Sequence, residues 1–214
     1  MASGSPRRRE LLGLTGLRFA VAPADIDETV QPGESAVAYT IRLSQEKAAA
    51  ALPAGRATGA LVLAADTTVV DGETILGKPA DADEARAMLV RLRGRAHQVY
   101  TALTLIDPVT GRSVTEVACT DVPMRHYTDA EIEAYIASGD PFDKAGGYAI
   151  QNTAFHPAEV RSGCVANVVG LPLCHLVRAL RALGVEPPAD VARACQDLHR
   201  YDCDVTDAIL AGTL

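Results

Sequence analysis

The fold is decided by the ten residues from Leu61 to Val70, which read LVLAADTTVV. A short apolar run rich in Val and Leu is typical of a buried β-strand, and Asp66 is the single charge within it. Asp71-Gly72 is a turn signal, and Thr74–Leu76 follows it as a short return strand. The sequence therefore predicts a buried strand that carries a carboxylate.

Helices and strands alternate on both sides of this strand. Before it we predict a helix that begins at Ser5-Pro6, a strand over Leu17–Ala22, an acidic loop at Asp25–Glu28 and a helix over Gly33–Leu52. After it we predict a helix over Ala82–Leu92, strands over His97–Ile106 and Ser113–Arg125, a helix from Thr128 to Ala137, an irregular Gly-rich segment over Gly139–Gln151, a strand over Ala154–Val160 and a helix over Leu171–Leu183. The alternation predicts an α/β fold with a mixed central sheet.

Composition excludes several classes of protein. The 214 residues, 48% hydrophobic and 22% charged, exclude wholesale disorder and fibrous repeats. A net charge of -7 and only 4% aromatics argue against binding of a nucleic-acid polymer. No apolar run approaches the roughly 20 residues of a membrane helix, and the start lacks the apolar core of a signal peptide. Five scattered cysteines do not form a disulfide framework, so we expect a reduced, cytoplasmic protein with no membrane partner.

An anion site is predicted at the start of the first helix. Ser5 is a good N-cap and Pro6 a good first helical residue, so free backbone amides and the helix dipole face the same point as Arg7 and Arg8. Arginines at a helix N-terminus oppose the dipole. A bound phosphate explains them better than a solvated first turn does.

Asp66 is poorly explained by packing, because a carboxylate in an apolar strand loses its hydration. It precedes Thr67, and the acidic loop offers a second carboxylate from Asp27 or Glu28. Such a pair can hold a divalent cation or activate a water molecule. The sequence thus predicts a metal and acid–base site around Asp66.

Lysine is rare in this chain, with Lys47, Lys78 and Lys144 the three among 20 basic residues. They are either chance survivors on the surface or positions where a compact ammonium is needed beside a phosphate. Lys144 lies on a Gly-rich turn, where backbone can approach a ligand closely. Gln151 ends that segment with an amide that can both donate to and accept from a base edge. Together these features predict metal-assisted cleavage of a nucleotide.

Two further motifs suggest a P-loop and a zinc site, and neither is complete. The stretch from Gly72 to Lys78 fits the first seven positions of a P-loop, but Pro79 stands where Ser or Thr must bind magnesium. Cys195, His199 and Cys203 are spaced four apart and could hold zinc with a fourth ligand. They lack a Cys-x-x-Cys pair, and buried thiols are common core residues, so ordinary packing is preferred.

The ordered set of motifs resembles the Maf family of nucleoside triphosphate pyrophosphatases over about residues 1–183. The motifs are Ser3 to Leu12, Asp25 to Glu28, Ala65-Asp66-Thr67, Gly77-Lys78-Pro79, Gly94 with His97-Gln98-Val99, Asp143 to Gly146 with Ile150-Gln151, and Asn167 to Leu173. The resemblance implies an elongated mixed-sheet fold, similar to that of inosine triphosphate pyrophosphatases, in a cytosolic and often dimeric protein. It also implies hydrolysis of a nucleoside triphosphate to monophosphate and pyrophosphate with Mg or Mn.

The resemblance further implies roles for individual residues. Asp66 accepts the proton of the attacking water and shares the metal with Glu28. Ser5, Arg8, Lys47 and Lys78 hold phosphates, Lys144 completes the substrate-binding set, and Arg7, Thr67 and Gln151 fall on positions that discriminate between substrates.

Specificity follows from the base-reading residue. Gln151 with the Asp-Lys-Ala-Gly pattern resembles the branch that acts on dTTP and UTP, and an amide can pair with the O4/N3–H edge of thymine or uracil. The branch that acts on 7-methyl-GTP carries Cys-Ala-Gly and Glu instead. That activity, and a non-catalytic regulatory nucleotide-binding protein linked to septum formation, are the alternatives.

The resemblance also shows departures and a boundary. Only Met1 precedes Ala2-Ser3 where the family has a hydrophobic strand, so we expect either a trimmed strand or an upstream start. Asn152 replaces a glycine. Residues 184–214 have no counterpart and are predicted as an acidic, helical C-terminal extension of net charge -4, from six acids and two arginines. The remaining -3 lies in residues 1–183, so the global charge excludes a polymer but not a single nucleotide.

Overall fold

The computed structural model describes residues 1–160 and 162–214. Within them the strands are β1 (Val62–Asp71), β2 (Thr74–Leu76), β3 (Ala96–Ile106) and β4 (Ser113–Pro123). The helices are α1 (Pro6–Gly13), α2 (Ala36–Thr58), α3 (Ala82–Leu92), α4 (Asp129–Ala137), α5 (Val165–Val169), α6 (Leu173–Ala182), α7 (Val191–His199) and α8 (Thr206–Ala211). Two short 3₁₀ turns, Asp140–Asp143 and Ala145–Gly147, lie between α4 and α5.

The four strands form one sheet in the order β2-β1-β3-β4, and every pair is antiparallel. The predicted α/β fold, with a central sheet flanked by helices, is confirmed. The parallel pair that a mixed sheet would add is not found among the assigned strands of the described chain.

The two faces of β1 meet different helices. Thr68 accepts a hydrogen bond from Thr40 of α2 at 2.7 Å, whereas Thr67 lies opposite Thr101 on β3, whose hydroxyl donates to Asn167 of α5. Because successive residues of a strand point to opposite faces, Asp66 lies on the α2 face with Thr68. The pleat therefore directs the charged residue toward α2.

The hydrophobic core lies between the sheet and the helices that flank it. Strand β1 is buried along its length except at Thr67. One apolar cluster joins Leu11, Leu103 and Leu176 between the sheet and helices α1 and α6, and a second joins Leu89, Val122 and Ile132 at the α3–α4 side. Both clusters lie on the Thr67 face of the sheet, and a third, which includes Ala48 and Ala64, packs α2 against the opposite face. Strand β1 is thus held by packed core on both faces.

Two predicted strands are wrong. Leu17–Ala22 is not assigned as a strand, because its backbone contacts from Ala20 and Ala22 both go to the single residue Met1, and one residue does not make a ladder. Ala154–Val160 makes only a single bridge, from Ala158 to Met124. Pro157 lacks the N–H that a ladder needs.

Helix α2 runs to Thr58, six residues beyond its predicted end at Leu52. Pro53 lies inside the helix, although a proline ring removes one helical hydrogen bond. The last turns nevertheless pack against the start of β1, where Gly55 lies against Val62, and Gly59 ends the helix with φ of 68°. Tertiary packing here outweighs the local signal.

Residues 184–214 contain α7 and α8, and both pack on α6. Val191 and Ile209 are buried, and Arg178 of α6 donates to the carbonyls of Ile209 and Leu214. The boundary between residues 1–183 and this extension stays a prediction. No helix in the described part of the chain is long and apolar enough to cross a membrane.

Candidate active site

A pocket of about 330 Å³ opens where α1, α2, β1, β2 and the two 3₁₀ turns meet. All ten residues predicted from the sequence line it: Ser5, Arg7, Arg8, Glu28, Lys47, Asp66, Thr67, Lys78, Lys144 and Gln151. Residues up to 146 positions apart in the chain thus share one cavity. Their individual roles stay predictions.

Lys47 joins the two predicted metal-binding carboxylates. Its ammonium is 2.7 Å from Oδ1 of Asp66 and 2.6 Å from Oε1 of Glu28. Asp66 is 6% exposed, whereas the Glu28 side chain is 54% exposed at the mouth of the pocket. Tyr39 of α2 donates its hydroxyl to the Glu28 carbonyl at 2.9 Å. The acidic loop is thereby joined to α2 through both the side chain and the backbone carbonyl of Glu28.

Arg8 is held on its inner side by three acceptors. Nε donates to the Gly170 carbonyl at 2.8 Å, Nη2 to Oγ1 of Thr67 at 2.9 Å and Nη1 to Oγ of Ser3 at 3.4 Å. Burial lowers the pKa of this guanidinium, and the Asp66 carboxylate partly offsets that effect. A guanidinium has five N–H groups, so two remain for an anion in the pocket.

Local sequence explains where Arg8 and its acceptor lie. Ser5 caps α1 by accepting from the Arg8 backbone N–H at 3.4 Å, and Pro6 occupies the first turn. Gly170 ends α5 with φ of 118°, and a Cβ there would lie 3.2 Å from Oγ1 of Thr67 and 3.3 Å from Nε of Arg8. Glycine is therefore required both by the backbone angle and by the approach of the guanidinium.

The other two lysines differ in their surroundings. Lys78 is exposed and makes no ion pair or hydrogen bond within the described residues, so its ammonium is free to meet an anion. Lys144 is 7% exposed and donates to the carbonyl and Oδ1 of Asp140 and to Oδ1 of Asp143. Since an ammonium has three donors, Lys144 must give up one of these contacts to touch a ligand.

A family model described as Maf-like protein matches residues 1–183. This protein belongs to the Maf-like family. Among its relatives, the protein named dTTP/UTP pyrophosphatase from Myxococcus xanthus is 50% identical over 189 residues, 88% of this chain and 93% of the relative. The protein of the same name from Chromobacterium violaceum is 48% identical over 191 residues, 88% of this chain and 96% of the relative.

The part of the pocket wall that carries Gln151 rests on a network that the sequence did not reveal. Tyr135 accepts from the Ala149 N–H at 3.0 Å and donates to Oδ2 of Asp140 at 2.7 Å. Asn152 also donates to that oxygen at 3.1 Å. These bonds position the segment that ends in the exposed Gln151. Only the proximity of Asp140 to the Asp-Lys-Ala-Gly motif could have pointed to it.

A buried pair lies behind the same wall. Tyr148 lines the pocket, and its hydroxyl is 2.7 Å from Nε2 of His97. Burial lowers the pKa of His97 to about 4 and raises the pKa of Tyr148. With His97 neutral at pH 7, this pair is a fixed structural contact rather than a source of protons.

The residues present suit a hard divalent cation that is shared with a substrate. Asp66 and Glu28 bring one oxygen each to the same ammonium, which leaves the second oxygen of each carboxylate unused by Lys47. No group of three or more candidate ligands gathers anywhere in the described chain. Mg²⁺ is commonly bound by one or two carboxylates together with substrate phosphates, so a two-carboxylate site fits it.

The C-terminal thiols do not form such a site. Among the described residues, no three potential ligands lie close enough together to hold a metal ion, so Cys195, His199 and Cys203 do not form a zinc site. Burial raises the pKa of Cys195 to about 12 and that of Cys174 to about 11. Thiols of this kind are protonated at neutral pH and unreactive.

Proposed function

We propose that this protein hydrolyses dTTP and UTP to the nucleoside monophosphate and pyrophosphate. The observation that carries the proposal is the Lys47–Asp66–Glu28 cluster facing Arg8 across one pocket. The names of the relatives, dTTP/UTP pyrophosphatase, support the same activity. A protein that only bound nucleotides would have no use for a buried carboxylate aimed into the pocket.

The residues divide the work between nucleophile and leaving group. Asp66 accepts a proton from a water molecule, whose oxygen forms a new bond to the α-phosphorus while the bond to the pyrophosphate oxygen breaks. The two unused N–H groups of Arg8 and the free ammonium of Lys78 bind the phosphate chain. Their positive charge stabilises the negative charge that accumulates on the departing pyrophosphate.

We propose that Asp66 and Glu28 hold Mg or Mn together with the substrate. A bound divalent cation supplies charge neutralisation and lowers the pKa of a coordinated water. Lys47 keeps the two carboxylates close together in its absence, because both accept from one ammonium.

Substrate choice is proposed to depend on the far end of the pocket. Gln151 can accept from N3–H and donate to O4 of thymine or uracil with a single amide. Arg7, which lines the same pocket and lies 3.8 Å from Asp143, is proposed to help discriminate between substrates. That the enzyme acts in the cytoplasm and as a homodimer are further proposals, which rest on the resemblance.

The proposal is tested by pyrophosphate release from a panel of dTTP, UTP, CTP, dCTP, GTP, 7-methyl-GTP and ATP with Mg or Mn. We expect the highest kcat/KM on dTTP and UTP and loss of turnover with EDTA. Gln151→Glu is expected to lower kcat/KM on dTTP by about 10- to 100-fold, because a carboxylate cannot donate to O4. Faster hydrolysis of 7-methyl-GTP by wild type would overturn the branch assignment, and no release from any nucleotide would overturn the activity.

A further inference from the structure

We propose that Thr101, which lies behind the pocket, is a positioning residue that orients Arg8 by fixing the direction of the Thr67 hydroxyl. This inference rests on the proposed function, in which Arg8 binds the phosphates. Thr101 is fully buried on β3, directly opposite Thr67 in the β1–β3 register, and does not line the pocket.

An unbroken chain of hydrogen bonds joins the guanidinium to α5. Nη2 of Arg8 is 2.9 Å from Oγ1 of Thr67, which is 2.9 Å from Oγ1 of Thr101. Oγ1 of Thr101 is in turn 2.9 Å from the carbonyl oxygen of Asn167. Four groups from α1, β1, β3 and α5 thus share one line of contacts.

The direction of every bond in this chain can be deduced. The Asn167 carbonyl can only accept, so Thr101 donates its single hydroxyl proton there. Thr67 must then be the donor in its contact with Thr101, because Thr101 has no second proton. Thr67 consequently meets Arg8 only as an acceptor, as the guanidinium requires, since Arg8 can only donate.

This polarity restricts what Thr67 can do in the pocket. Its proton is committed to Thr101, so it cannot donate to a phosphate oxygen, which at neutral pH can only accept. Thr67 therefore contributes to phosphate binding through Arg8, by holding one edge of the guanidinium. Chains of aligned hydroxyls strengthen one another in a buried setting, so the loss of Thr101 is felt at Arg8.

The test combines Thr101→Val, which replaces the hydroxyl with a methyl of the same shape, with Thr67→Val and the double variant. We expect Thr101→Val to lower kcat/KM on dTTP by about tenfold, chiefly through KM, and to weaken binding of inorganic pyrophosphate by a similar factor. Thr101→Ser, which restores the hydroxyl, should stay within about threefold of wild type. The double variant should be no worse than Thr67→Val alone, because both changes break the same chain.

Thr120→Val is the matched control. Thr120 is also a buried sheet threonine, and it also bonds to α5, through the Cys164 carbonyl at 3.2 Å and Nδ2 of Asn167 at 2.9 Å. It has no contact with Thr67 or Arg8, so we expect wild-type KM and pyrophosphate affinity. Thermal unfolding of each variant checks that it is folded, and Thr101→Ala replaces Thr101→Val if the added methyl prevents folding.

The outcomes separate this inference from the proposed function. Wild-type pyrophosphate affinity in Thr101→Val, equal losses in Thr120→Val, or independent effects in the double variant would each overturn the role of Thr101. A wild-type protein that hydrolyses no nucleotide overturns the proposed activity instead. In that case the calorimetric pyrophosphate titration alone decides whether Thr101 acts through Arg8.

Discussion

At the scale of single residues, the buried carboxylate of Asp66 explains how the charged groups of the pocket are arranged. Asp66 is 6% exposed, and burying a carboxylate is costly unless it is paired. Lys47 provides the pair at 2.7 Å and at the same time reaches Glu28. Lys47 and Glu28 come from other segments of the chain. The carboxylate that is unexpected in an apolar strand is therefore part of a polar cluster.

Replacing Asp66 with Asn should separate binding from turnover. The amide keeps the size of the side chain but cannot accept the proton of a water molecule. We expect pyrophosphate release to fall by at least about 100-fold, while nucleotide affinity measured by calorimetry changes far less.

Asp71→Asn is the control for this change. Asp71 is equally buried on the same strand, but it pairs with Arg91 and Arg95 outside the pocket. Its turnover should remain at the wild-type level at temperatures where it is folded. An Asp66→Asn variant that releases pyrophosphate as fast as wild type would contradict the assigned role.

At the scale of elements, the pleat of β1 and the ends of short helices divide the site. The α2 face of β1 receives Asp66, whereas the α5 face receives Thr67. Helix α5 is only five residues long, yet its final glycine supplies the carbonyl that holds Arg8. Helices α7 and α8 pack on α6, and every residue that lines the pocket precedes residue 184.

The extension is expected to act on stability rather than on catalysis. Ile209 of α8 is 1% exposed, so Ile209→Ala should lower the free energy of unfolding by about 2–5 kcal/mol. Leu198→Ala, on the neighbouring helix but 37% exposed, should cost far less. Urea unfolding measures both changes, and KM for dTTP should be unchanged in each. Equal losses of stability in the two variants would show that the extension does not pack on α6 as described.

At the scale of the whole molecule, buried histidines couple stability to pH. Burial lowers the pKa of both His97 and His175 from 6.5 to about 4. Both side chains are almost fully buried, and Nδ1 of each has no hydrogen-bond partner among the described residues. A neutral ring is therefore what the folded protein accommodates, and an unfolded chain would protonate both rings at mildly acidic pH.

The sign of the pH dependence follows directly. Between about pH 6.5 and pH 4 the unfolded chain binds more protons than the folded protein, so stability falls as the pH is lowered through this window. Each histidine contributes up to about 1.4 kcal/mol per pH unit. His175→Leu removes one of the two groups, so its stability measured by urea unfolding should fall less steeply between pH 6.5 and 4.5. An unchanged slope would show that His175 is not buried as a neutral ring.

Most of the local structure could be predicted, and the failures have a common cause. Helices with strong caps, such as the one that begins at Thr128, and long strands with clear patterns were found within a few residues. The strand predicted over Leu17–Ala22 does not form, and α2 continues beyond its predicted end at Leu52, because each outcome depends on which distant segment lies beside it. Secondary structure of this kind is decided by packing and not by propensity.

The residues of the candidate site were predicted more completely than the elements of the fold. The residue types indicated cations for phosphate, carboxylates for a metal and an amide for a base, and the family resemblance added the discriminating positions of Arg7 and Thr67. All ten chosen residues line one pocket. Tyr39, Thr101, Asp140 and Tyr135 were not predicted: three of them carry no charge and belong to no motif, and Asp140 lies outside the Asp-Lys-Ala-Gly motif. Their importance comes from hydrogen bonds between segments.

The sequence by itself therefore determined the chemistry, because charge, hydrogen-bonding capacity and motif order are properties of the residues. It also determined that a buried strand carries Asp66. Only the tertiary structure decided that Lys47 joins Asp66 to Glu28, that all three donors of Lys144 are occupied, and that Thr67 faces Arg8 as an acceptor. These facts depend on distances between groups far apart in the chain, and such distances exist only once the apolar core has fixed how the sheet and helices pack.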